Sequence, residues 1–165
     1  MTRLLRSSNF WLLRGALLVV ISLTLADVAL AQITKKLPAA GGDDAPVFND
    51  YRGVKLGWIA DEVRKKLGNP ANKADDQDFY MFGENERAQV YYDKDRQVTA
   101  ISIDFMNGAT GAFTPEQVLG SGIEAKSDGS MTKLVRYPKA GYWVSYSRTA
   151  GEKPMISVTM QKMSQ

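Results

Sequence analysis

Residues 97–105 read QVTAISIDF, and this short stretch decides the fold class. From Thr99 to Phe105 every second residue is Thr, Ile, Ile or Phe, and the residues between them are Ala, Ser and Asp. Successive side chains of an extended strand point to opposite faces, so the larger, mostly apolar set lies on one face. The alternation predicts an antiparallel sheet with one face packed on a core and the other in water.

Five further segments predict strands of the same sheet, because they are rich in aromatic and β-branched residues and are bounded by turn residues. They are Phe79–Phe82, Ala88–Tyr92, Met131–Tyr137, Gly141–Ser147 and Pro154–Met160. The intervening segment 93–96, Asp-Lys-Asp-Arg, is typical of a hairpin loop. Together with residues 97–105, these segments predict a sheet of about six strands.

A first short helix is expected just before the strands. Ile59, Val63 and Leu67 are four residues apart and form one apolar stripe. Acidic residues in the first turn and basic residues in the last turn suit the helix dipole. Gly68 can close this helix, and Pro70 cannot continue it.

A second short helix is expected to begin at Thr114-Pro115-Glu116-Gln117 and to end around Leu119-Gly120. Thr114 can cap the helix, Pro115 suits its first position, and Gln117 can complete a capping box. The fold class expected is therefore α+β, with two short helices packed on one face of a six-stranded antiparallel sheet. The helix-plus-three-strand order occurs twice, which predicts a tandem duplication with half-repeats 51–107 and 111–163.

The first 31 residues are typical of a secretory signal peptide. Three Arg residues precede an apolar stretch at Ala16–Ala26, and Ala29-Leu30-Ala31 supplies the small-x-small pattern of a cleavage site. Cleavage is expected before Gln32. The alternative is an anchor that is retained, although the apolar run is shorter than the roughly 20 residues that span a bilayer.

Residues 32–50 mix Lys, Pro, Gly and Asp without apolar periodicity, which predicts a flexible tether. Residues 51–165 are expected to form a single domain. Of the 21 basic and 18 acidic residues, three Arg and one Asp fall in the signal segment, so the remainder carries a net charge of +1. Its longest basic run is Arg64-Lys65-Lys66, which argues against a nucleic-acid partner.

The composition excludes several kinds of chemistry. The 165 residues include no Cys and no His, which rules out disulfides, thiolate catalysis and the commonest general base and transition-metal ligand. Residues 120–125 match a loose dinucleotide fingerprint but follow a helix instead of a strand. Ser130 and Lys133 have the spacing of a Ser-Lys dyad, but in a segment that is expected to be a strand.

An acidic loop offers the remaining candidate for metal chemistry. Asp75, Asp76 and Asp78 could hold a calcium ion, although the Gly and the terminal Glu of an EF-hand loop are missing. A solvated loop is the alternative, and an enzyme built on Asp76 is a further hypothesis. The overall expectation is a protein without catalytic activity, cofactor or metal.

Aromatic residues in the strands suggest a binding surface. If Val90 and Val144 face the core, then Tyr91 and Trp143 face the open side of the sheet. Tyr80 and Arg136 are expected to join them there. Tyr, Trp and Arg dominate interface hot spots, so these four residues are the candidate protein-binding set. The alternative is that helices, loops or the tether cover the rings.

The segment 53–70 resembles the signature of the SmpA/OmlA (BamE-like) domains and of the related β-lactamase-inhibitor-protein-like domains. Gly53-Val54-Lys55-Leu56-Gly57, Asp61-Glu62-Val63 and Leu67-Gly68-Asn69-Pro70 carry the likeness. Trp58-Ile59 departs from it, because the family has Met followed by a Ser or Thr cap, and the lipoprotein Cys of the BamE branch is missing. The resemblance implies a non-enzymatic, protein-binding module of the bacterial envelope.

These observations lead to one functional expectation and one alternative. The chain is expected to be periplasmic or secreted, without membrane insertion after signal cleavage, and to bind another envelope or secreted protein through the open sheet face. It would act as an assembly accessory or as an inhibitor of a hydrolase. The alternative is a small-ligand or cell-wall glycan-binding module, in which the same aromatic residues would stack on sugar rings.

Overall fold

A computed structural model describes residues 45–164, which contain two helices and seven strands. In chain order the elements are α1 (Ala60–Leu67), β1 (Asn72–Lys73), β2 (Gln77–Met81), β3 (Glu86–Tyr92), β4 (Val98–Phe105), α2 (Pro115–Leu119), β5 (Met131–Tyr137), β6 (Tyr142–Arg148) and β7 (Ile156–Lys162). All strands belong to one antiparallel sheet in the order β1-β2-β3-β4-β7-β6-β5.

The predicted fold class is wrong. The sheet has seven strands, and helix accounts for only about 11% of the structure. Only one of the two helices, α1, has seven residues or more. The second helix is only five residues long and has the predicted bounds, whereas the two-residue strand β1 was not expected. The molecule is therefore a seven-stranded sheet covered by loops and two short helices, and not two helices packed on a six-stranded sheet.

The sheet is joined at its centre by β4 and β7. Ile101 pairs with Met160 and Ile103 pairs with Val158, and all four side chains are fully buried. On the opposite face of the same ladder, Ser102 faces Thr159. The apolar alternation of residues 97–105 thus gives the sheet its covered and open faces, as the sequence predicts.

Loops and short helices cover one face. Phe48 lies edge-on to Phe113 at 5.2 Å between ring centroids, and Phe113 in turn lies edge-on to Phe105 of β4 at 5.5 Å. Val63 of α1 and Val118 of α2 are fully buried in the same cluster. Phe48 is only 6% exposed, so the end of the predicted tether belongs to the core. The predicted signal peptide and residues 32–44 of the predicted tether lie outside the described residues.

A β-bulge at Thr99 corrects the predicted alternation. Tyr91 pairs with Ala100 but Tyr92 pairs with Val98, so Thr99 is the extra residue on its strand. The Thr99 hydroxyl donates to the carbonyl oxygen of Tyr91 at 3.3 Å. Because of the bulge, Val98 takes the core position at the start of β4 that the sequence pattern assigns to Thr99.

A buried ion pair attaches α1 to the sheet. Asp78 of β2 is fully buried, and its two carboxylate oxygens accept from the Nε and Nη2 atoms of Arg64 at 2.8 and 2.9 Å. The Tyr92 hydroxyl donates to the same carboxylate at 2.8 Å, and the Tyr80 hydroxyl lies at 3.4 Å. A buried charge needs such partners, since an uncompensated one is strongly destabilising.

The ends of the two helices differ in their capping. Thr114 accepts from the backbone of Gln117, whose side chain accepts from the Thr114 backbone, so the predicted capping box is confirmed. Ile59 is the N-cap of α1 and supplies no side-chain hydrogen bond, as its departure from a Ser or Thr cap predicts. The Ile59 side chain is 46% exposed.

Removing the buried carboxylate should destabilise the fold strongly. Asp78→Ala leaves the Arg64 guanidinium facing two tyrosines without its anion, and we expect a loss of about 3–5 kcal/mol in unfolding free energy. The matched control is Asp61→Ala, because Asp61 also pairs with Arg64 but is 73% exposed. An exposed pair contributes about 1 kcal/mol or less. Urea denaturation of both variants measures the difference, and equal losses would contradict the assignment.

The missing cap on α1 can be supplied. Ile59→Ser places a hydroxyl where it can accept from the backbone of residue 61 or 62, and we expect roughly 0.5–1 kcal/mol of added stability. The matched loss is Thr114→Ala, which removes half of the α2 capping box and should cost about 1 kcal/mol. Thermal unfolding of both variants gives the two signs, and a destabilised I59S protein would show that the Ile59 side chain contributes more by packing.

Candidate functional site

The side chains that point away from the core form what we call the open face of the sheet. The pairing register arranges the open face in three rows, each crossing from β2 to β5. The rows are Gln77-Tyr91-Ala100-Gln161-Trp143-Arg136, Phe79-Gln89-Ser102-Thr159-Ser145-Leu134, and Met81-Arg87-Asp104-Ser157-Ser147-Thr132. Among the described residues, none of these side chains belongs to the core cluster or packs against it.

The centre of the open face is polar and its hydrogen bonds are internal. Ser102 and Thr159 share a hydrogen bond of 3.1 Å across the central ladder, and the Ser157 hydroxyl donates to Asp104 in the next row. On the β2 side, Gln89 donates to Gln77 at 2.8 Å. The middle of the face is therefore a floor of small hydroxyl side chains.

Larger apolar side chains stand at the two ends of this floor. Met81 is 55% exposed at the β2 end, and Leu134 is 37% exposed at the β5 end. Phe79 lies beside Met81, and Trp143 lies beside Leu134 on the neighbouring strand, each of them half-buried. The open face thus has two apolar ends on either side of a hydroxyl-lined centre.

Tyr91 and Trp143 lie where the sequence places them. Val90 and Val144 are fully buried, and Tyr91 and Trp143 point to the opposite face. Two strands separate β3 from β6, so the two aromatic residues are about 14 Å apart across the sheet. Arg136 is exposed and pairs directly with Trp143 across β5 and β6. The three residues therefore share one face without forming one cluster.

Tyr80, the fourth predicted residue, lies on the covered face. It is 2% exposed and stacks on Phe82 with 5.8 Å between ring centroids. Burial, with the nearby Asp78 charge, raises the pKa of Tyr80 to about 12, so the phenol stays a neutral donor at neutral pH. The prediction failed because the charged residue Asp78 occupies a core position. A polarity pattern places Asp78 in water, and with it Tyr80, which lies on the same face of β2. Tyr80 is not part of the open face.

Phe79, Met81, Leu134 and Arg87 belong to the open face but were not predicted. The pairing of Tyr80 with Ala88 and of Phe79 with Gln89 puts Phe79 on the side of Tyr91. Phe79 could have been assigned to the open face by counting from the core residue Val90 across the β2–β3 hairpin. This count requires that the connection between the two strands is known to have four residues. Leu134 follows in the same way from its pairing with Ser145.

Two guanidinium groups give the open face an excess of positive charge. Arg87 and Arg136 make no ion pair with any residue in the range 45–164, and the buried Nε atom of Arg87 has no hydrogen-bond partner there. Asp104 is the one carboxylate in the three rows, and its neighbour Ser157 donates to it. The unpaired cations favour a partner that brings acidic groups.

Two depressions flank the strands. One, of about 470 Å³, opens on the face beside Tyr91 and is lined by hydroxyl and amide groups that include Ser102, Thr159 and Gln161. The other, of about 620 Å³, lies beneath Arg52, whose guanidinium stacks 4.1 Å from the Phe82 ring centroid. Arg52 also makes a bidentate ion pair with Glu86 at 2.9 Å, so the charges in this second depression are already matched.

The acidic loop does not assemble a metal site in the described structure. Asp78 is taken up by Arg64 and Tyr92, whereas Asp75 and Asp76 are exposed at the turn before β2. Within residues 45–164, no group of three or more acidic side chains could hold a metal ion.

Comparisons of the chain with protein families, with curated proteins and with solved structures find no match. Neither helix in the range 45–164 has the length and apolarity needed to cross a membrane. The open face therefore has to be interpreted from its own residues.

Substitutions on the two faces should differ in cost. Tyr91→Ala removes a half-buried ring from the open face, and we expect it to cost about 1 kcal/mol or less. Tyr80→Ala removes a ring of the same size from the covered face together with its contact to Asp78, and should cost about 3–5 kcal/mol. Urea denaturation of the pair tests this difference. Equal costs would mean that both rings are packed in the native protein.

Proposed function

We propose that the chain is an exported, non-enzymatic module of the bacterial envelope that binds another protein through the open face. One observation carries the proposal. A sheet of six full-length strands leaves one face uncovered by residues 45–164, and that face combines apolar ends with unpaired guanidinium groups. Assembly accessory and hydrolase inhibitor are the two roles in which such a surface would serve.

The size of the open face suits a protein partner. Six strands about 4.8 Å apart and three rows about 7 Å apart give a surface of roughly 600 Å². A stable interface buries about 800 Å² on each partner, so the open face and its rim are close to that size. A surface of this extent exceeds what a small molecule covers.

The arrangement of side chains supports the same function. Tyr91, Trp143 and Arg136 are of the residue types that dominate the binding energy of protein interfaces. Their spacing provides two separate anchor points, and the short hydroxyl side chains between them allow a partner's backbone to approach closely. Arg87 and Arg136 would select a partner surface that carries carboxylates.

The resemblance of residues 53–70 to the SmpA/OmlA and inhibitor-protein-like signature adds independent support for a binding module of the envelope. The expected signal segment supports export to the periplasm or the medium. Both inferences come from sequence, and neither depends on the geometry of the open face.

Glycan binding is the second candidate, and the depression beside Tyr91 favours it. Hydroxyl and amide groups next to an aromatic ring can bind sugar hydroxyls while the ring covers a sugar face. Against it, Tyr91 stands without a second ring close by, because Trp143 is three strand spacings away.

Capture from the envelope fraction of the source cells tests protein binding. Crosslinking followed by affinity purification is carried out with the wild type and with Tyr91→Ala/Trp143→Ala. Val47→Ala is the matched control, since Val47 is apolar and 57% exposed but lies off the open face. We expect one protein captured by the wild type and by V47A but lost by more than tenfold in the double variant. Equal capture by all three would refute the open-face assignment.

Tryptophan fluorescence tests the glycan alternative. Trp58→Phe leaves Trp143 as the single tryptophan after the expected cleavage site, so the emission then reports on the open face alone. A soluble cell-wall glycan that shifts this emission, with the shift lost in Tyr91→Ala, would favour glycan binding. An unchanged emission spectrum at millimolar glycan would exclude binding at Trp143.

A further inference from the structure

The two edges of the sheet differ in how they are protected. At one edge, β1 has only two residues, and the exposed acidic turn at Asp75 and Asp76 follows it directly. At the other edge, β5 runs for seven residues with an uninterrupted register against β6. No other strand of residues 45–164 pairs with the outer side of β5. Natural sheets usually shorten, charge or bulge such an edge, and β5 is neither short nor bulged.

The hydrogen-bond pattern shows which backbone groups of β5 point outwards. Met163 donates to the carbonyl oxygen of Gly141, and Thr149 donates to that of Met155, so the odd-numbered residues of β6 bond to β7. Residues alternate in the direction of their backbone groups, so the even-numbered residues of β6 bond to β5. Their partners on β5 are the odd-numbered residues. Thr132, Leu134 and Arg136 therefore direct their N–H and C=O groups away from the sheet.

The exposure of the side chains agrees with a free edge. Thr132, Leu134 and Arg136 are all exposed, and Leu134 is one of the few large apolar side chains at the surface. Two charged residues lie on β5. The Lys133 Nζ donates to the Ser121 hydroxyl at 3.2 Å on the covered side, and Arg136 lies on the open face beside Trp143. The edge thus offers six outward backbone groups and an apolar side chain at its centre.

The sequence of β5 is self-complementary in one antiparallel register. When Leu134 faces Leu134 of a second copy, Thr132 faces Arg136, and all seven residues overlap. Every outward N–H then meets an outward C=O, because residues 132, 134 and 136 pair among themselves. A register centred on Arg136 would instead oppose two guanidinium groups, and one centred on Thr132 would lose strand overlap.

We propose that β5 is a homodimerisation edge, at which a second copy of this chain pairs antiparallel about a two-fold axis at Leu134 and extends the seven-stranded sheet to fourteen strands. The axis is perpendicular to the sheet, so the two open faces lie on the same side. The inference does not rest on the proposed function, because it uses the outward backbone groups of β5, although the side chains of Leu134 and Arg136 also belong to the open face.

Single cysteines test the register, because the chain has no Cys of its own. Directly opposed residues of this kind have Cα atoms about 5.5 Å apart, within the range that a disulfide bridges. Two L134C chains should therefore form a disulfide-linked dimer under mild oxidation. The matched control is Thr132→Cys, whose copies would lie about 13 Å apart along the strands and should stay monomeric. Mixing T132C with Arg136→Cys should restore a crosslinked heterodimer.

The full chain is expressed in cells, and the protein is purified with the N-terminus that remains after any processing there. Sedimentation measured from micromolar to millimolar concentration should show wild-type dimers. Leu134→Pro removes an outward N–H that β6 does not use, so it should abolish dimerisation and leave the circular dichroism spectrum unchanged. Leu134→Ala keeps the N–H and should lower the association constant no more than about tenfold.

Three outcomes would overturn the proposal. One is a wild-type protein that stays monomeric from micromolar to millimolar concentration. The same result is expected if residues outside the described part, or a strand of a partner protein, occupy the outer edge of β5. Another is equal crosslinking of L134C and T132C, which would indicate random collision. The third is dimerisation of a folded L134P protein, which would place the interface elsewhere. None of these outcomes bears on capture through the open face, so the two proposals fail independently.

Discussion

The carboxylate of Asp78 has no access to water, and in the described structure its charge is matched by a guanidinium from α1. Arg64 reaches both oxygens only when α1 lies over the β2 side of the sheet. Tyr92 completes the arrangement, and burial together with its bond to Asp78 raises the pKa of this phenol far above the ordinary value. This interaction decides which face of the first meander is covered, and hence which side chains of β2 and β3 are left on the open face.

The sequence predicted the parts of the structure that depend on local pattern. The capping box at Thr114, the six longer strands and the orientation of Tyr91 and Trp143 all follow from alternation and capping chemistry. Tyr80 could not be placed in this way, because a buried Asp78 imitates a solvent-facing position and its partner Arg64 lies 14 residues earlier. The bulge at Thr99 and the short strand β1 depend on pairing between strands, which no local pattern records. The second helix begins and ends where its capping box and Gly120 predict, whereas the strand number and the share of helix in the whole fold were misjudged because they depend on how the strands pair.

The open face and the β5 edge meet at Leu134 and Arg136, which belong to both. If both proposals hold, dimerisation joins two open faces into one surface of roughly twice the width. A partner that spans the axis would meet two Trp143 rings and two Arg136 side chains. A partner that needs the outer side of Leu134 would compete with the second copy.

The central pairing of β4 with β7 has a consequence for the order of folding. Ser102 and Thr159, which touch across this ladder, are 57 residues apart in the chain, so closing the sheet carries a large loop-closure entropy. The first meander can form from neighbouring strands, but its inner edge stays unpaired until the last described strand becomes available. The core of residues 45–164 thus stays incomplete until β7 has been synthesised. If the chain is exported, as we propose, this delay keeps it unfolded while it passes through a translocation channel.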